Sequence, residues 1–155
     1  MIYFAYGANM NPAQMGERSP GHRTIGVARL PSHRLHFPSF SPNWGCASAS
    51  IAPSERDTVF GVLYDVPLDD VAVLHHQAGY DPQGRPALNR HNVREVTVLR
   101  MGGSAPTKAI TYVAVPDRTT ALPSEAYMNA LIDGARYHGL PRAYIVLLKS
   151  VKTAA

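Results

Sequence analysis

Residues 93–115 read VREVTVLRMGGSAPTKAITYVAV. Apolar and polar residues alternate from Val93 to Met101 and again from Thr107 to Val115, the period of strands with one face buried. Gly102-Gly103 between them can take the positive φ angles of a tight reversal, so the two runs form an antiparallel hairpin. The rest of the chain mixes further strands with isolated helices and shows no regular strand–helix alternation. This is the pattern of an α+β fold around a mixed, largely antiparallel sheet.

Upstream, Ile2 to Tyr6 is a short buried strand that stops at the turn residues Gly7-Ala8-Asn9. A second extended region runs from Thr24 to about Phe37, and Pro38 to Trp44 reads as a Pro- and Ser-rich loop. Ala47 to Ala52 is a weak strand and Val59 to Val66 a strong one, rich in Val, Phe and Tyr. Pro67 and the acids Asp69 and Asp70 open a helix that carries Leu68, Val71 and Leu74 on one face. That helix runs to about Gln77 and ends at Gly79. Tyr80 to Asn89 is a loop. Beyond the hairpin, Ser124 caps a helix that Gly139 and Pro141 close, and a last amphipathic segment spans Arg142 to about Val151.

The 155 residues suffice for one sizeable core, so a single domain over residues 1–155 is expected. Thirteen Pro and twelve Gly, scattered along the chain, exclude an uninterrupted helical bundle. No run approaches the ~18 apolar residues of a membrane span, and MIYFAYGANM has no secretory signature. A cytoplasmic protein without membrane partners is expected. The net charge of +4 comes from basic residues spread singly between Arg18 and Lys152, which does not make a nucleic-acid stripe.

Metal chemistry finds little support. Cys46 is the only cysteine, His75-His76 are adjacent on a helix and point about a quarter turn apart, and His33 and His36 face opposite sides of a strand. Cys46 has no neighbour that would activate its thiol. G-x-S-x-G, phosphate-loop and G-x-G-x-x-G patterns are absent. The junction Tyr6-Gly7-Ala8-Asn9 stands out instead, because small residues after a strand let successive backbone N–H groups converge on a carboxylate or an oxyanion. An ordinary strand-ending turn has the same composition.

Five segments together extend this reading: YFAYGANM (3–10), WGCASASI (44–51), FGVLYDV (60–66), LHHQAGYDP (74–82) and PSEAYMNALIDGARYHGLPRAYIVLL (123–148). They resemble the γ-glutamylcyclotransferase family nearly end to end. The resemblance implies a small closed or nearly closed barrel flanked by helices, acting without cofactor or metal on a small γ-glutamyl substrate. It implies that Tyr3, Tyr6, Gly7, Ala8 and Asn9 form the wall and anion loop of the substrate pocket. Tyr144 is expected to reach that pocket, with Tyr127 nearby. Ala8 stands where the family usually has serine. Ala78 stands where the family carries the glutamate that acts as general acid and base, so the catalytic position has no titratable atom. A naturally altered member and a glutamate-to-alanine replacement both fit the intact Gly79-Tyr80-Asp81-Pro82 that follows.

In the family's reaction the substrate's own α-amine attacks its γ-carbonyl, giving 5-oxoproline and a free amine. A carboxylate beside both nitrogens can take the first proton and return it to the second. Its removal costs a factor of ~10² to 10⁴ in rate. Asp81, just after position 78, and Glu95, on a strand, are the substitutes the sequence offers. The resulting expectation is a cyclotransferase-like enzyme impaired at its base, with a catalytically silent γ-glutamyl or small-carboxylate binding module as the alternative. The leaving amine and the oligomeric state stay open.

Overall fold

The computed structural model describes residues 1–103 and 105–155. Five strands close into a barrel in the order β1-β3-β2-β4-β5, comprising β1 (Ile2–Ala5), β2 (Arg23–Ser41), β3 (Cys46–Asp65), β4 (His91–Arg100) and β5 (Pro106–Ala114). Closure comes from one parallel contact, Tyr3 opposite Ile110, while every other pairing is antiparallel. The expected α+β architecture with a mixed, largely antiparallel barrel is therefore the one observed. β4 and β5 form the expected hairpin, with Gly102 at φ +82.

Four helices flank the barrel: α1 (Pro12–Arg18), α2 (Leu68–Ala78), α3 (Glu125–His138) and α4 (Arg142–Lys149). Helices α2 and α3 end at Gly79 and Gly139, both left-handed, at the positions read from the sequence. The Ser124 hydroxyl accepts the Tyr127 amide at 3.0 Å, a cap worth about 1 kcal/mol. Helix α1 went unread in the sequence, although Asn11 caps it through its side chain and Pro12 occupies its first turn. No helix among the described residues is long and apolar enough to cross a membrane.

Two strand expectations need correction. The stretch Pro38 to Trp44 is not all loop, since Ser39, Phe40 and Ser41 pair with Ser48, Ala47 and Cys46. A register shift between His36 and Ser39 lets the ladder pass Pro38, which has no N–H to offer. The segments Ala47–Ala52 and Val59–Val66 belong to one strand through Asp65, interrupted in pattern by the polar 54–58. There the partner of Pro31 is Thr58 and the partner of His33 is Pro53, so residues 54–57 stand opposite Ser32 alone, at φ +59. Such a bulge bends a hairpin. Both faces are wet at Glu55 and Arg56, which removes the apolar alternation from the sequence there.

Candidate active site

Strand β1 ends at Ala5, buried Tyr6 follows it, and the chain then turns through a short 3-10 segment, Ala8–Met10. The Met10 and Asn11 amides close this turn on the Gly7 and Ala8 carbonyls, both at 3.0 Å. The amides of Gly7, Ala8 and Asn9 have no acceptor among the described residues. These three residues line a cavity of about 100 Å³, room for about three waters at liquid density.

The turn is held from several sides. Asn9 Nδ2 donates to the Tyr3 hydroxyl at 3.0 Å, Gln14 Nε2 donates to Asn9 Oδ1 at 3.1 Å, and the Tyr64 hydroxyl donates to the Asn9 carbonyl at 2.8 Å. The Tyr6 hydroxyl donates to the Tyr112 carbonyl. Tyr127 comes from α3, and its hydroxyl accepts the Ala49 amide at 2.9 Å. Burial pushes the hydroxyls of Tyr3, Tyr6, Tyr112 and Tyr127 above the usual phenol value, so all four are neutral donors at physiological pH.

The C-terminal end of α2 forms another part of the wall, bringing Gln77 and Ala78 to the cavity. Three side chains grip its last carbonyls. Asn43 Nδ2 and Arg90 Nη2 reach the Gln77 carbonyl at 3.4 and 3.2 Å, and His91 Nδ1 meets the Ala78 carbonyl at 2.9 Å. Arg90 and His91 line the cavity, as does Arg18 of α1. No aspartate or glutamate does among the described residues. A cavity with two arginines and no carboxylate favours an anionic guest.

The structure thus gathers Tyr3, Tyr6, Gly7, Ala8, Asn9, Ala78 and Tyr127 at one cavity. Tyr144 is a correction, because it does not line it. Pro141 starts α4 directly, and the helix turns Tyr144 onto the Phe60 ring of β3, with centroids 5.2 Å apart. Asp81 does not line the cavity but borders a second recess of about 390 Å³ that shares Asn43, Gln77 and Arg90 with it, and there its carboxylate accepts the Gln83 amide at 2.9 Å. Glu95 is 62% exposed and 3.9 Å from Lys108. Arg18, Arg90, His91 and Ser48 were not singled out from the sequence. The Ser48 hydroxyl is buried without a partner, on a residue that lines the cavity. The Asn11-Pro12 cap was the available signal for Arg18, since it announces the helix that carries it.

A family model described as AIG2-like matches residues 58–148, well over half of the chain. The chain belongs to the AIG2-like family. Among relatives of this AIG2-like protein, the γ-glutamylcyclotransferase of Mus musculus is 29% identical over 155 residues, covering 97% of this chain and 78% of the mouse protein. The Homo sapiens γ-glutamylcyclotransferase gives the same identity and coverage. A solved γ-glutamyl cyclotransferase superposes with a TM-score of 0.88 at 28% identity, over 99% of this chain and 89% of the other. YkqA from Bacillus subtilis shares the fold, with a TM-score of 0.79 at 20% identity over 99% of this chain and 56% of its own. The resemblance read from the sequence is borne out by these relatives.

Proposed function

We propose that this protein binds a γ-glutamyl amide in the cavity between the Gly7–Asn9 turn and Ala78, and that the site is built to convert it to 5-oxoproline and a free amine. One observation carries the reading: the turn residues whose amides have no acceptor among the described residues and the C-terminal end of α2 line one cavity. The substrate carboxylate or the developing oxyanion is a natural guest for such amides. Curling the glutamyl chain brings the α-amine to the γ-carbonyl, an advantage of proximity that survives the loss of a base.

Ala78 supplies no acid or base. On this reading it replaces the carboxylate that would take the ammonium proton, and cyclisation is slowed by ~10² to 10⁴, equivalent to about 3 to 5.5 kcal/mol of barrier. The experiment compares 5-oxoproline release by the chain and by its Ala78→Glu variant. A gain of that order supports an impaired enzyme. The lack of any carboxylate lining the cavity among the described residues favours the second reading, a binding module. Tight binding of γ-glutamyl compounds by both proteins, with release by neither, would establish that one.

A further inference from the structure

We propose that Nε2 of His91 is the proton acceptor for cyclisation in this chain, in place of a carboxylate at position 78; the proposal rests on the cyclotransferase reading of the cavity. His91 lines the cavity beside Ala78. Its Nδ1 lies 2.9 Å from the Ala78 carbonyl oxygen. A carbonyl has no proton to give, so Nδ1 carries the ring proton and the lone pair of the neutral imidazole is on Nε2. Nε2 has no partner among the described residues and is not one of the buried atoms left without one, so it is open to water or a ligand.

The charge surroundings keep that lone pair free. Burial holds His91 below the usual histidine value, the hydrogen bond to the Ala78 carbonyl works against it, and the Arg90 guanidinium adds a smaller push downward. The remaining charged or titratable groups of the cavity are Arg18 and the phenols of Tyr3, Tyr6, Tyr112 and Tyr127. Arginine has no accessible neutral form near pH 7 and the phenols are weaker acids than usual, so none of them competes as a base. His75 pairs with the Tyr112 hydroxyl at 2.8 Å and does not line the cavity. His91 is the remaining group of the cavity with a basic lone pair among the described residues.

The proton sequence balances. Nε2 takes one proton from the substrate α-ammonium, and the freed amine attacks the γ-carbonyl carbon, whose π electrons move to oxygen beside the Gly7–Asn9 amides. The ring nitrogen, cationic after attack, loses its second proton to solvent. The carbonyl re-forms, the bond to the departing nitrogen breaks, and that nitrogen receives the proton held on Nε2. 5-Oxoproline and an amine result, with His91 neutral again.

The test pairs two substitutions in two backgrounds. His91→Gln keeps an N–H for the Ala78 carbonyl but has no basic nitrogen, and His91→Ala leaves room for added imidazole. With a γ-glutamyl amino acid as probe, the chain is expected to release 5-oxoproline slowly, with the acid limb of kcat/KM below the usual histidine value of 6.5. His91→Gln should lower kcat about 10²-fold with KM little changed, and imidazole should raise the kcat of His91→Ala saturably. Next to Ala78→Glu, where a carboxylate takes over, His91→Gln, which keeps an N–H for the carbonyl of position 78, should cost much less than in the parent. Equal fractional losses in both backgrounds, without imidazole rescue, would overturn the proposal in favour of a structural histidine. Binding by the chain with no release at all would also overturn it while leaving the γ-glutamyl site standing. Failure of both the chain and Ala78→Glu to bind the probe would remove the cyclotransferase reading, and His91's role with it.

Discussion

Gly134 of α3 packs so tightly on the turn before α1 that a Cβ at position 134 would fall 2.5 Å from the Met10 carbonyl carbon and 2.7 Å from the Asn11 amide nitrogen. Both obstacles are backbone, so neither can swing aside. The missing side chain lets α3 brace the turn whose residues Gly7, Ala8 and Asn9 line the cavity. Gly134→Ala is expected to cost about 1 to 3 kcal/mol of stability and to weaken binding of γ-glutamyl compounds. Calorimetry and titration of the same variant check both; a stable variant with unchanged affinity would show that the turn does not depend on this contact.

Asp81 and Glu95 should be dispensable for turnover. Asp81 is engaged by the Gln83 amide outside the cavity, and Glu95 lies on the exposed face of the β4–β5 hairpin beside Lys108. Asp81→Asn and Glu95→Gln are expected to keep 5-oxoproline release within about twofold of the parent, as for surface substitutions away from the chemistry. Loss of a robust activity in either variant would relocate the base.

Ser48 separates folding from binding. Its hydroxyl is buried at the cavity wall without a partner, so Ser48→Ala leaves no protein group unsatisfied and should hold or raise the melting temperature. Affinity for a γ-glutamyl compound should fall about three- to tenfold if a bound ligand supplies the missing partner, the effect of one hydrogen bond. Unchanged affinity would remove Ser48 from the ligand's contacts.

Acid should destabilise the protein through its histidines. His36, His75, His91 and His138 are all held below the ordinary value of 6.5, in each case chiefly by burial. As the pH falls below 6.5 the unfolded chain binds protons that the native chain refuses, so this contribution to stability is complete above 6.5 and is lost on acidification. Melting temperatures measured from about pH 7.5 down to about pH 5 should decline, and His138→Asn should flatten the decline. A parallel curve for that variant would show that His138 plays no part.

What could be read from the sequence depended on how local the signal was. The β4–β5 hairpin and the ends of α2 and α3 rest on nearby residues, Gly102, Gly79 and Ser124, and all were legible. The union of Ala47–Ala52 with Val59–Val66 was hidden because residues 54–57 bulge out and have no apolar alternation. Position 78 and the Gly7–Asn9 turn, which line the cavity, were singled out by resemblance and by small-residue composition. His91 and Arg90 could not be, because their place depends on β4 beginning beside the end of α2, a contact between segments with no shared local pattern. Tyr144 was misplaced for the converse reason: a familiar spacing after Pro141 does not determine which side of a new helix meets the barrel.

The grip on the last turn of α2 has a consequence for how such a site changes over generations. Asn43, Arg90 and His91 all hold it through the main-chain oxygens of Gln77 and Ala78, and the left-handed Gly79 closes the turn. None of these anchors involves the side chain at 78. That position is therefore a socket: on the proposed reading of the cavity, a carboxylate there is expected to be lost or regained by single substitution while the scaffold stands, leaving selection free to trade turnover for retention of the ligand.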